Sequence, residues 1–111
     1  MQIKKWPTVF CFSAILLIAV PANALTGNDL KRYADEGEKN PQSIIRGVFF
    51  GYVLGAVESC SPSQCCVPEG VNNKQMVDVV VKYLKDHPEE LRFPAIVLIQ
   101  KAISMAWPCR Y

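Results

Sequence analysis

Residues 72–88 read NNKQMVDVVVKYLKDHP, and the choice between helix and strand over this stretch decides the fold class. Val79-Val80-Val81 is β-branched and, taken alone, suits a strand. Its surroundings oppose that. Met76, Val79, Val80, Tyr83 and Leu84 recur at i, i+3, i+4, i+7 and i+8, the spacing of one helix face. Asn72, followed three residues on by Gln75, is a variant of the capping box, in which two side chains satisfy free amides reciprocally. His87-Pro88 closes the segment, because the residue before a proline is pushed out of the α region. A capped start, a sustained 3.6-residue period and a proline stop predict a helix.

Reading outward, the flanking segments are helical too. Glu89 to Phe93 is a short connection with room for one helical turn. Pro94 to Trp107 places Ile96, Ile99, Ile103 and Trp107 on a face with Ala95, Ala102 and Ala106, and Pro108 stops it. On the other side, Ser61 to Val71 is a loop with two prolines, a glycine and paired cysteines. Before it, Asn40 as N-cap and Pro41 at the first helical position open a helix running to about Ser59. Its Ile44, Ile45, Val48, Phe49, Tyr52, Val53, Ala56 and Val57 cover most of the circumference, which predicts the central, most buried helix. Thr26 to Asn40 is polar, with Leu30, Tyr33 and Ala34 at i, i+3 and i+4. It reads as a short surface helix ended by Gly37 and Asn40. The fold class is therefore all-α: a small disulfide-stapled helical bundle of three main helices plus a short N-terminal one.

The first 24 residues have a different character. Lys4 and Lys5 precede an apolar run from Val9 to Val20, broken only by Ser13; Pro21 ends it, and Ala22-Asn23-Ala24 has the small-x-small pattern of a signal-peptidase site. The run falls short of the ~20 residues needed to span a bilayer. Cleavage after Ala24 is expected, leaving one domain from Leu25 to Tyr111 and no membrane insertion. Phe10 before Cys11 lacks the small residue that a lipidated cysteine needs. Lys4 and Lys5 also carry the whole formal charge of +2. The remainder is balanced, so it lacks the basic footprint of a nucleic-acid binder, and a protein partner outside the cytoplasm is expected.

Of five cysteines, Cys11 leaves with the leader and Cys60, Cys65, Cys66 and Cys109 remain. Four cysteines allow three pairings. Adjacent Cα atoms lie only ~3.8 Å apart, below the usual disulfide range of ~4.4–6.8 Å, which removes Cys65–Cys66. Two schemes stay open: Cys66–Cys109 with Cys60–Cys65, or Cys65–Cys109 with Cys60–Cys66. Either ties the loop to the end of the last helix, worth roughly 4 kcal/mol in the chain-entropy model, and closes a small ring worth roughly 2.

No catalytic or metal-binding constellation is visible. There is no CxxC pair and a single histidine, His87, so neither a zinc site nor a thioredoxin-type redox motif is expected, and no cofactor. Ser43, Ser59, Ser61, Ser63 and Ser104 lack a GxSxG elbow. His87 is expected to cover free carbonyls at a helix C-terminus. The chain reads as a non-enzyme. Gly47, Gly51 and Gly55 recur every four residues, each costing about 1 kcal/mol of helix propensity against alanine. They predict close approach by a neighbouring helix of the bundle. A membrane pairing motif is disfavoured, because Ile44 to Val57 is too short to span and contains Arg46.

Several pieces combine in order: Gly51-Tyr52-x-x-Gly55, then Cys66-Val67-Pro68-Glu69-Gly70-Val71, then Gln75, Val79 and Tyr83-Leu84-x-x-His87-Pro88, then Ala102 with Ala106-Trp107-Pro108-Cys109. The series, from Gly47 to Cys109, resembles the Rap/Tai family of immunity proteins linked to bacterial type VI secretion. The resemblance implies a small, periplasmic, all-helical and often homodimeric protein. Such proteins protect against peptidoglycan amidase effectors, papain-like cysteine hydrolases, by plugging the active-site cleft with a loop or helix end. It also agrees with a Cys66–Cys109 tie, which leaves Cys60 to Cys65. The segment Cys60-Ser61-Pro62-Ser63-Gln64-Cys65 departs from the matched pattern. Ser61, Pro62, Ser63 and Gln64, and next Glu69 and Asn73, are the expected effector contacts. The alternative from another class is a small, disulfide-tied periplasmic stress chaperone.

Overall fold

The computed structural model describes residues 24–110. Met1 to Asn23, with Cys11 and most of the expected leader, lie outside them, as does Tyr111. Helix α1 spans Gly27–Lys39, α2 Ile44–Glu58, α3 Asn73–Asp86 and α4 Ala95–Ala106, with a 3-10 turn at Pro88–Glu90 before α4. Among the described residues the one β-type pairing is an isolated bridge between Thr26 and Pro94. The all-α bundle is as the sequence predicts. None of these helices is long and apolar enough to cross a membrane.

Each start has a local cause. Helix α3 has both halves of its capping box: the Asn72 amide donates to Gln75 Oε1 at 2.8 Å, and the Gln75 amide to Asn72 Oδ1 at 2.9 Å. Helix α1 has an equivalent box that the sequence reading did not single out. The Thr26 amide donates to Asp29 Oδ2 at 3.1 Å, and the Asp29 amide to Thr26 Oγ1 at 3.3 Å. The Thr26 amide first, and then the Thr26 hydroxyl, which donates to the same Oδ2 at 3.1 Å, hold the Asp29 carboxyl below its ordinary range. Helix α2 begins three residues after the expected start, with Ser43 rather than Asn40 as N-cap. Asn40 is engaged elsewhere: its backbone amide closes α1 on the Glu36 carbonyl at 3.1 Å, and its Oδ1 accepts from the Gln42 amide at 3.3 Å. That Asx-type turn leaves Ser43 to cap.

Packing corrects three expectations. Gly37 does not end α1; it is buried inside it, and a Cβ there would lie 3.2 Å from Arg46 Cα. It lets α1 and α2 approach closely. Helix α1 is accordingly more than a surface element, with Leu30 and Ala34 in the core. Second, α2 is not the most buried helix. It buries Phe49, Val53 and Ala56, whereas the shorter α4 buries Ala95, Leu98, Ile99, Ala102 and Ile103. Third, Ile96, expected on the inner face of α4, is 38% exposed, and Leu98 takes the inner position. On α3 the buried line is Val77, Val80, Tyr83 and Leu84.

The segment before α1 is stitched to the connection before α4. Ala95 N–H donates to the Leu25 carbonyl at 2.7 Å, Gly27 N–H to Phe93 at 2.8 Å and Asn28 N–H to Leu91 at 2.8 Å. The backbones run so close that a Cβ on Gly27 would meet the Leu98 side chain and lie 2.8 Å from Leu91 Cα. The core thus sits between α4 and the other three helices, and the loop 59–72 contributes no fully buried residue to it.

Candidate functional site

Two bridges shape the loop after α2. Cys60 pairs with Cys65 (Cα–Cα 5.9 Å) and Cys66 with Cys109 (Cα–Cα 5.2 Å), which selects one of the two open schemes. Inside the first ring the chain makes one tight turn: the Gln64 and Cys65 amides donate to the Ser61 carbonyl at 2.9 and 3.0 Å. The Ser61 and Ser63 hydroxyls are 2.8 Å apart. Ser104 of α4 fastens this turn to the bundle. Its Oγ lies 2.7 Å from the Gln64 carbonyl and 2.8 Å from the Gln100 carbonyl, with one proton for the two. Gln100 Nε2 donates to the Ala56 carbonyl at 3.3 Å, holding α4 to the last turn of α2.

The result is an open cleft of about 580 Å³. Ser63 and Gln64 form one wall, Pro108 and Cys109 the other, and Val97, Gln100, Lys101 and Ser104 of α4 the floor. Of the residues expected to touch a partner, Ser63 and Gln64 line this cleft. Ser61 and Pro62 are exposed on the same ring, while Glu69 and Asn73 are exposed but do not line it. Sequence reasoning missed the floor. A signal was present: Gln100, Lys101 and Ser104 interrupt an otherwise apolar helix at positions that share a face with Val97.

Lys101 is held from below. Its ammonium pairs with Glu90 Oε1, and Glu90 Oε2 accepts from the Tyr83 hydroxyl at 2.6 Å. The bond from Lys101, then that from Tyr83, lowers the Glu90 pKa below the ordinary carboxylate range. The same contact with Glu90 raises Lys101, and desolvation first, then Glu90, raises Tyr83. The His87 ring stacks on Tyr83 with centroids 4.0 Å apart, and its Nδ1 lies 2.9 Å from the Tyr83 carbonyl. A carbonyl only accepts, so Nδ1 carries the proton. His87 therefore caps α3, the role its position suggests. His87, Glu89 and Glu90 bring potential ligand atoms within 4.8 Å of one another. Glu90 is already engaged by Lys101 and Tyr83, so the group works as a polar clamp between α3 and α4.

The glycine stripe is a correction. A Cβ on Gly47, Gly51 or Gly55 would meet nothing within 4 Å, so none of the described helices packs there. The stripe faces outward beside Ile44, 85% exposed, and Val48, 44% exposed. With Tyr52 and Ile96, Gly51 and Gly55 line a shallow apolar depression.

A family model described as Rap1a immunity proteins matches residues 26–109, most of the chain and all four helices. The chain belongs to the Rap1a immunity protein family. That is a family of immunity proteins and not of enzymes, and an immunity protein works by binding a toxin partner. Comparison with curated proteins and with solved structures gives no match. The matched span runs from the Thr26 cap to Cys109, so it includes both bridges and the whole cleft lining.

Proposed function

We propose that this Rap1a member is a periplasmic immunity protein that binds a peptidoglycan amidase effector of a type VI secretion system and blocks its active-site cleft. The observation that carries the reading is the exposed turn at residues 61–64, held by two bridges beside the open cleft on α4. A turn held rigid before binding loses less entropy on docking. Ser61 to Gln64 would enter the effector, with Glu69 and Asn73 as flanking contacts and Lys101 as the cation at the cleft. Two bridges fit an oxidising compartment, and residues 1–24 would be the signal removed on export from the domain at 25–111.

The test is direct. Mature protein, residues 25–111, is mixed with each amidase encoded beside its gene, and peptidoglycan hydrolysis is followed. Stoichiometric inhibition of one of them is expected. Unchanged hydrolysis at excess protein across all of them overturns the reading.

A second copy of the chain is the other proposed partner. Supporting it, the outward face of α2 carries Ile44, Gly47, Val48, Gly51 and Gly55 with a single charge, Glu58, at its C-terminal end, and a two-fold interface needs a patch that is complementary to itself. Sedimentation should give a dimer, and Val48→Asp a monomer. A wild-type monomer at high micromolar concentration would sink the pairing.

A further inference from the structure

We propose that the Cys60–Cys65 bridge is a local redox gate: oxidised, its ring forms the Ser63–Gln64 wall of the cleft; reduced, that wall is lost while the helices stay folded. The two bridges differ in reach. Cys66–Cys109 spans 43 residues and ties the loop to the end of α4, whereas Cys60–Cys65 spans five and encloses only the turn.

Three observations make the ring local. No fully buried residue lies between Ala56 and Val77; from the ring only the half-buried Cys65 packs against the core, and residues 61–64 are all exposed. The backbone bonds ordering the turn, from Gln64 and Cys65 to Ser61, are internal to the ring. The bond from Ser104 to the Gln64 carbonyl joins it to α4, and the bond from the Cys60 amide to the Val57 carbonyl at 3.1 Å continues the end of α2. A four-residue polar turn with such support does not hold a single conformation unaided, because ordering each residue costs more than one net hydrogen bond returns. The covalent ring removes much of that cost in advance.

The redox step balances with a disulfide donor, such as a dithiol oxidase of the export compartment or oxidised glutathione. One ring thiolate attacks the donor disulfide and releases a donor thiolate. The second ring thiolate then attacks the mixed disulfide, closes Cys60–Cys65 and releases the other donor thiol. Two protein thiols are oxidised and one donor disulfide is reduced. A chain with Cys66–Cys109 closed and Cys60–Cys65 still reduced therefore has the cleft floor without this wall, and acquires the wall when the short bridge forms. The consequence for effector capture rests on the function proposed above; the ordering of the turn does not.

The experiment compares mature oxidised protein with the double variant Cys60→Ser, Cys65→Ser, which retains Cys66–Cys109. Far-UV circular dichroism should show the same helix content in both. Amide exchange at Gln64 and Cys65 should speed up on the order of tenfold to thirtyfold, the closure entropy of a short ring expressed as an equilibrium factor, while α3 and α4 amides stay protected. Wild-type protein treated with a phosphine reductant until only the short bridge opens should match the variant. Unchanged exchange at Gln64 and Cys65 overturns the gate, as does loss of the helical signal together with the turn. Against an amidase that the oxidised protein inhibits, the variant should lose at least tenfold in affinity. If no amidase is inhibited by the oxidised protein, the proposed function fails, and the exchange data still decide the gate.

Discussion

Helices α2 and α4 are the two most apolar of the described helices, and they use that character in opposite ways. Helix α4 turns Leu98, Ile99, Ala102 and Ile103 into the core and presents polar residues to the cleft. Helix α2 commits Phe49, Val53 and Ala56 inward and leaves Ile44, Val48 and a glycine stripe uncovered. Apolar content says that a face will be covered; it does not say whether the cover lies in the same chain. The same residue type should therefore have different energetic weight on the two helices.

The sharpest way to break this contrast is a matched truncation. Ile99→Ala removes a side chain with no exposure and should cost about 2–5 kcal/mol, since the cavity adds to the lost transfer energy. Ile44→Ala at 85% exposure should stay within about 0.5 kcal/mol. Both are read from urea unfolding at low protein concentration, where a dimer seam on α2 contributes least. Equal losses would mean that α2 is as internal as α4.

The glycines give the next two tests, with opposite signs. At Gly27 a Cβ would run into Leu98 and Leu91, so Gly27→Ala should destabilise by about 1–3 kcal/mol through overpacking. At Gly51 a Cβ meets nothing. Gly51→Ala should therefore stabilise the monomer by up to about 1 kcal/mol through helix propensity alone, while weakening any pairing of two copies across that face. Thermal unfolding and sedimentation separate the two effects. A loss of monomer stability in Gly51→Ala would show that the stripe is packed after all.

These sites also show what sequence makes readable. The fold class followed from periodicity and capping, which act over a few residues: the Asn72–Gln75 box and the Pro88 stop fix α3 without reference to the rest of the chain. Gly37 and the Gly47–Gly55 stripe misled because both readings require knowing who the neighbour is. Gly37 looked like a terminator and is a contact with Arg46; the stripe looked like a contact and faces open space. Asn40 suited two roles, helix end and helix start, and its side chain went to a turn. At the candidate site the turn could be read from its cysteines, which are rare and chemically constrained. Gln100, Lys101 and Ser104 showed in the sequence only as a polar interruption of α4 on the face of Val97; that this face is a cleft floor depends on the Cys66–Cys109 bridge, which brings residues 43 apart together.

The smallest expected effect concerns the polar clamp, which α4 has and α2 lacks: among the described residues no ion pair involves α2. Glu90 has a folded pKa lowered by its bonds from Lys101 and Tyr83. Its contribution to stability is therefore complete above the ordinary glutamate value of about 4.3 and is lost as pH falls through the lower folded value. Lys101 is shifted the other way, upward, by the same contact. Its contribution is complete below the ordinary lysine value of about 10.4 and fades as pH rises through the raised one. Glu90→Gln keeps the shape and removes the charge. The melting-temperature gap between wild type and variant should accordingly be widest on a plateau between about pH 5 and pH 10 and close at both ends. A gap that stays constant from pH 3 to pH 7 would mean that Glu90 matters through packing, and that α4 is held to α3 by apolar contact alone, as α2 is held to α1.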